Sequence, residues 1–252
     1  MHTPRRRTLL LAAVAACAGA PLGAHAWPFG GGRTEGNGDI VRQARQARGF
    51  SGVALGLPAK LELRIGNDEG VTIETDGNLQ PLIETVVEDG VLRIRPTSSH
   101  RNLRTDHLHI VVHARRIERL SLGGSGSITA DALRGERLNV DIGGSGRIDL
   151  RSVDSDDLAV KIGGSGDLRI GGGSARKVTV SVKGSGSVDL GQVEAGEAKV
   201  RVAGSGDVTL WAKDALGVSI AGSGDVGYYG DPAVTRSVAG SGKTRRLGGA
   251  PR

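Results

Sequence analysis

The side chains able to do chemistry are scattered rather than gathered. Four histidines come close together in sequence: His100, His107, His109 and His113. A metal site needs donors that converge at a set geometry. A strand would turn His107, His109 and His113 to one face with Val111 between them, but the three do not follow a familiar ligand spacing. They read as surface or half-buried histidines. Asp149, Asp189 and Asp207 lie near glycine-rich turns. Calcium β-rolls repeat about every nine residues with the acid in the turn, whereas Asp149 and Asp189 stand past the turn, so no bound metal is expected. Cleavage of a polysaccharide needs clustered carboxyl groups in a cleft built by long loops, and no such insertion is visible. The aromatic residues are Trp27, Phe29, Phe50, Trp211, Tyr228 and Tyr229. Trp211, Tyr228 and Tyr229 come from adjacent repeat units and are read either as one small surface patch suited to a sugar or as core and edge packing. No catalytic residue and no cofactor site is assigned.

The elements that would position any site are set by one phrase. Gly-Ser-Gly occurs at Gly124-Ser125-Gly126, Gly144-Ser145-Gly146, Gly164-Ser165-Gly166, Gly184-Ser185-Gly186, Gly204-Ser205-Gly206, Gly222-Ser223-Gly224 and Gly240-Ser241-Gly242, at spacings of 20, 20, 20, 20, 18 and 18 residues. A fixed period of this size marks a solenoid in which each repeat is one coil stacked on the last. Two and four residues to either side of the phrase, the positions are apolar and mostly β-branched, as in Val180, Val182, Val188 and Leu190. That is a period-two alternation, so each coil carries a strand on either side of Gly-Ser-Gly. The phrase is then a corner, and its glycines leave room for the coil above. The rest of each coil, for example Leu133 to Arg137, reads as a looser third side with a turn. The expected fold is all-β: a parallel β-helix of about seven coils, preceded by an N-terminal β-strand region sharing its core. Phosphate binding at the corners is not expected, because no helix N-terminus follows them. The last coil places Arg236, Thr244 and Arg246 in core columns, and Lys243 to Arg252 reads as a protective cap or frayed tail.

The N-terminus carries an export signal. Arg5-Arg6-Arg7 precede an apolar run from Thr8 to Ala20, and Ala24-His25-Ala26 follows Pro21. Cleavage after Ala26 is the better-formed site. The competing reading takes Val14-Ala15-Ala16-Cys17 as a loose lipobox with Cys17 lipidated. Cys17 is the only cysteine, so cleavage after Ala26 leaves no thiol chemistry. Loss of Arg5, Arg6 and Arg7 lowers the net charge from +6 to +3, and nucleic-acid binding is not expected. No transmembrane helix is expected in the mature chain.

Trp27 to Gly38 reads as a glycine-rich tether, and Ile40 to Arg48 as one or two helical turns or a basic approach segment. From Phe50 the alternation gives candidate strands at Gly52 to Leu57, Lys60 to Ile65, Val71 to Thr75, Leu82 to Glu88, Val91 to Arg95 and Leu108 to His113. Asp89-Gly90 reads as a hairpin turn, and Thr97 to Asp106 as an exposed loop. The boundaries are 1–26 for the signal peptide, 27–49 for the linker, 50–116 for the N-terminal β region, 117–247 for the repeats and 248–252 for the tail.

The order of these pieces carries a resemblance. "FSGVALGLPAKLELRIGNDEGVTIETDGNLQPLIETVVEDGVLRI", then "LHIVVHARRIERLSLGGSGSI", then the repeated "GGSGRIDL", "GGSGDLRI", "KGSGSVDL" and "AGSGDVTL" resemble the putative auto-transporter adhesin, head GIN domain family. The resemblance spans roughly Phe50 to Thr244. It implies a β-helical secreted or envelope domain and supplies no catalytic residues. No translocator barrel is recognisable at the C-terminus, so self-export across an outer membrane is not expected. The functional expectation is a non-enzymatic, exported protein of the bacterial cell envelope, periplasmic, secreted or lipid-anchored, that acts as an adhesin-like interaction module. Its partner would be an envelope protein or a glycan. The alternative is a carbohydrate-binding or carbohydrate-active β-helix protein.

Overall fold

A computed structural model describes residues 33–97 and 102–251. Alternating apolar residues give strands almost throughout. The N-terminal part holds β1 (Arg33–Glu35), β2 (Ile40–Arg45), β3 (Gly52–Leu55), β4 (Lys60–Ile65), β5 (Gly70–Asp76), a 3-10 turn at Gln80–Leu82, β6 (Ile83–Glu88), β7 (Val91–Pro96), β8 (Asn102–Arg104) and β9 (His109–Ala114). The repeats hold β10 (Arg119–Leu122), β11 (Ser127–Ile142), β12 (Arg147–Ile162), β13 (Asp167–Ile170), β14 (Gly173–Gly184), β15 (Ser187–Gly204), β16 (Asp207–Gly222), β17 (Val226–Tyr229), β18 (Ala233–Gly240) and β19 (Thr244–Gly248).

The repeats wind into a parallel β-solenoid of about six turns between residues 119 and 248. Each residue pairs with the same column of the next coil, as in Leu120–Val140 and Val140–Val160. Every coil has three sides. The first precedes Gly-Ser-Gly, the second follows it, and the third returns to the next coil. The third side is not loose. β11 runs unbroken from Ser127 to Ile142, and Leu133, Val153, Ala175 and Ala195 are buried behind it. Its residues are mostly polar because a narrow coil spares few inward positions on that side.

The N-terminal region continues the same stack by insertion. β3 lies between β7 and β10, and β4 between β9 and β11, all parallel. Gly56-Leu57-Pro58-Ala59 therefore forms a corner that the Gly-Ser-Gly signature does not reveal. The Gly123 N–H donates to Leu55 O, and the Ser127 N–H to Ala59 O. Counted along the first side from β7 to β18, nine parallel layers stack roughly 4.8 Å apart. One apolar core runs through them from Ala47 to Val226.

The two ends differ. At the N-terminal end, the antiparallel strands β6, β5 and β2 cover β7 and β9. The Asp89-Gly90 turn joins β6 to β7 with φ values of 51° and 71°, the left-handed pair that such hairpins require. Ile40–Arg45 is thus a strand, not helical turns. The open edge of β5 takes it as a partner, and tertiary pairing overrides the helix preference of Gln and Arg. Its exposed Arg42 then blunts the new edge. Gln80 is buried behind β2, where its side-chain NH2 donates to Val41 O at 2.8 Å and Ile73 O at 3.0 Å. Arg45 clamps the same spot by donating to Gln80 O at 2.6 Å and Ile83 O. The end of the expected tether and part of the expected exposed loop are also strand, since β1 pairs with β8. At the C-terminal end, Thr244–Gly248 is an ordered last strand rather than a frayed tail, and β18 is exposed along its whole length. Val234 and Val238 stand uncovered there, with Arg236 between them in the core column.

Asp76 fastens β1, β8 and the turn after β5. Thr105 Oγ1 donates to its carboxylate at 2.5 Å, and the Gly38 N–H at 2.7 Å. These bonds hold the Asp76 carboxyl below the usual carboxylate range. A depressed folded pKa stabilises above the unfolded value, and that stability is lost as pH falls below about 4. Thermal melts of Asp76→Asn should therefore lie below wild type at neutral pH and converge with it in acid. A constant difference at every pH would refute the assignment.

Candidate functional site

The corners come first, because they fix everything outside them. A Cβ on Gly166 would lie 2.5 Å from Ile142 Cγ2 and 2.6 Å from Gly146 O, and one on Gly164 2.5 Å from Gly144 O. Gly146, Gly186, Gly206, Gly224 and Gly242 meet the carbonyl of the second corner glycine one coil below in the same way, and Gly144, Gly184, Gly204, Gly222 and Gly240 that of the first. Gly124 and Gly126 pack on Leu57 and Ala59 of the inserted corner. The position just before the phrase is open, which is why it holds Gly143 and Gly163 but also Lys183 and Ala203. The corner serines are exposed, and from Ser165 onward their backbone N–H groups donate to the coil below, as Ser185 does to Gly164 O at 3.1 Å.

Outward side chains on the second and third sides are tied across coils. Arg147 meets Asp167 at 3.0 Å, Arg169 Asp189 at 3.9 Å, Arg134 Asp154 at 3.6 Å, Arg151 Asp131 at 3.8 Å and Lys213 Glu194 at 3.3 Å. The carboxylates of Asp207 and Asp225 each accept a backbone N–H from the next coil, at 3.2 and 2.8 Å. Asp189 accepts from the Gly191 N–H at 3.0 Å. These acids serve the stacking.

The aromatic trio is split by the pleat. Trp211 and Tyr229 are register partners on adjacent coils and point outward. Tyr228 lies in the inward column of Leu210 and packs on the core, so it leaves the patch. Sequence reasoning missed what replaces it. A bulge in β19 turns Leu247 outward over Gly227. Thr209 completes the ledge, for a Cβ on Gly191 would touch both Thr209 Cγ2 at 3.3 Å and Tyr229 Cε2 at 3.4 Å. Leu247 and Thr209 also line a shallow pocket of about 230 Å³ with Asp207, Asp225, Lys243 and Arg245. The signal was present in the 18-residue spacing of the last coils. The register of β16 against β15 jumps from Leu190 to Glu194 beside Trp211, which is where the coil shortens.

The histidines separate. His109 and His113 face outward on β9 around Val111, and with Arg42, Arg64, Thr72 and Glu74 they line a groove of about 320 Å³. His107 lies outside the strand, and His100 lies outside the described residues. Among the described residues, no three His, Cys, Asp or Glu side chains are grouped to hold a metal. Cys17, Ala26, Trp27 and Phe29 lie outside the described residues. Among the described residues, no helix is long and apolar enough to cross a membrane.

Fold and surface together define a capped parallel β-solenoid with flat outward sides. The chain belongs to the family described as "Putative auto-transporter adhesin, head GIN domain", whose profile matches residues 49–232. The match ends before the last coil, short of Thr244. Solved structures share the fold. A putative lipid binding protein from Parabacteroides distasonis is 24% identical at a TM-score of 0.74, with 86% of this chain and 100% of that chain covered. A putative adhesin from Bacteroides fragilis is 21% identical at a TM-score of 0.80, with 85% and 100% covered. A putative adhesin from Parabacteroides merdae is 19% identical at a TM-score of 0.70, with 85% and 99% covered. A comparison with curated proteins finds no match.

Proposed function

We propose that the protein is a non-enzymatic, exported interaction module of the bacterial cell envelope. The observation that carries this reading is the plainness of the outward sides. From Ser127 to Gly222 the coils turn at short corners without an inserted loop, so the molecule offers long flat faces rather than a cleft around reacting groups. The adhesin description of the family points the same way. The test combines fractionation of native cells with intact-mass measurement. A chain starting at Trp27 in the periplasm or medium, or lipidated at Cys17 in the membrane, supports the reading; a cytoplasmic chain with its leader intact rejects it. Release of reducing ends from a polysaccharide panel would reject the non-enzymatic part.

A second reading is carbohydrate binding at the ledge of Trp211, Tyr229, Leu247 and Thr209. Apolar faces beside the hydrogen-bonding rim of Asp207, Asp225, Lys243 and Arg245 suit a sugar ring, whose own faces are apolar and edges polar. The lipid-binding description of the Parabacteroides distasonis structure raises a lipid as the rival ligand, which the charged rim disfavours. Trp211→Ala should weaken glycan-array binding about tenfold or more while leaving the melting temperature within a few degrees. Equal glycan signals from the two proteins would dispose of the ledge.

A further inference from the structure

We propose that the first side of the solenoid binds a linear anionic polysaccharide through Lys161, Lys183, Lys199 and Arg201. These cations break a pattern that holds elsewhere on the coil. On the second and third sides, cations are neutralised across coils by acids one repeat away, as in Arg147–Asp167, Arg134–Asp154 and Lys213–Glu194. On the first side the same register holds, but only one acid stands in it, Asp141 beside Lys161, and Lys183, Lys199 and Arg201 have Ala203, Thr179, Gly217, Ser181 and Ser219 as register partners instead. Lys161, Ser181 and Arg201 are register partners on β12, β14 and β15. Thr179 pairs with Lys199 one step back along the strands, and Lys183 with Ala203 one step ahead. All four cations are exposed, and none makes an ion pair or a side-chain hydrogen bond with the described residues.

Their arrangement has a centre. Ser181 lies between Lys161 and Arg201, each one strand away at roughly 4.8 Å. Lys183 lies two residues along its own strand, and Lys199 diagonally beyond. The half-buried Thr179 and Ser181 supply hydroxyl donors at the base of the ring. A carboxylate, sulfate or phosphate group above Ser181 would meet donors from below and cations on each side. Lys161 and Arg201 are roughly 9.6 Å apart along the rod axis, so anions recurring along a chain laid on that axis would meet them in turn. The next coils continue the track with small residues only, Gly217, Ser219 and Ala221, which leaves the face flat.

The same flatness selects a polymer over a bilayer. No outward apolar side chain larger than alanine stands among these cations, and a surface that docks on a membrane uses apolar anchors beside its charges. The cationic track is separate from the aromatic ledge, which lies on another part of the coil.

The probe is polygalacturonate, with dextran sulfate as a second polyanion and neutral dextran as the control, against the purified protein at low and high salt. Both polyanions should bind, neutral dextran should not, and binding should weaken as salt screens the charges. Lys161→Gln with Arg201→Gln should weaken polyanion binding about tenfold, and Lys199→Gln alone about threefold. Arg147→Gln with Lys213→Gln removes the same charge from the other sides and should leave binding within about twofold. Equal losses in both double variants would show a non-specific field and overturn the proposal. So would absence of polyanion binding, or binding confined to vesicles of anionic lipid. All these positions are exposed, and a circular dichroism melt matching wild type verifies that each variant is folded.

Discussion

Gly166→Ala is expected to destabilise the protein by about 3 kcal/mol or more, read as a fall in the urea midpoint. The new methyl would come 2.5 Å from Ile142 Cγ2 and 2.6 Å from Gly146 O. The carbonyl belongs to a corner held by its own neighbours, so relief requires the coils to separate. Separation would break the bond from the Asp167 N–H to Gly146 O, 3.0 Å long. Overpacking of a tight core costs about 1–3 kcal/mol, and strained corner hydrogen bonds add to it. Gly163→Ala is the matched control. Its Cβ would find only Ile142 O, at 3.9 Å, and later coils already hold Lys183 and Ala203 in that column. The control should stay within about 0.5 kcal/mol of wild type. If the two variants unfold at the same urea concentration, close stacking is not what keeps the corners glycine.

The second large effect is expected at the N-terminal cap. Gln80→Ala leaves Val41 O and Ile73 O without the donors that now reach them at 2.8 and 3.0 Å. It also takes away an acceptor of Arg45, 3.1 Å from the Gln80 side-chain oxygen. Ile73 O lies in buried surroundings, where an unsatisfied group costs about 1–3 kcal/mol, so a loss of about 2–3 kcal/mol is expected. Hydrogen exchange locates the damage. Amides of β2 and β5 should lose protection first, while those of β14 and β15 keep theirs, because coils interact mainly with their neighbours. Uniform loss across the coils would mean that cap and stack unfold as one unit.

How much of this was legible depended on whether a residue repeats. The corner glycines and the columns of Leu120, Val140 and Val160 announced the coil, because stacking forces each coil to solve the same packing problem. Where a coil is built from distant segments, the period vanishes. Val53, Leu55, Leu61 and Leu63 alternate around Gly56 to Ala59 as the repeats do, yet nothing local says that β3 and β4 slot between β7, β9 and the first coil. That order is set by loop closure and by which edges remain unpaired. Ile40–Arg45 reads from its sequence as helical turns or a basic approach segment, because five of its six residues are exposed in the fold and an edge strand carries no inward pattern to betray it. The aromatic ledge failed on parity. Adjacent residues in a strand face opposite ways, so Tyr228 and Tyr229 could never share a surface, and Leu247 reached it through a bulge that no period describes.

The near-identity of successive layers makes the coil a unit of length. Because each Gly-Ser-Gly corner from Gly144 to Gly242 sits on another of the same kind, a coil added or removed in phase among them presents the same corner contact to its neighbours. The N-terminal cap fixes where counting starts, and the uncovered edge of β18 imposes no fixed total. In-phase gain or loss of one coil therefore lengthens or shortens this rod by roughly 4.8 Å at a time without redesigning a core. Reach becomes a heritable quantity adjusted in whole steps.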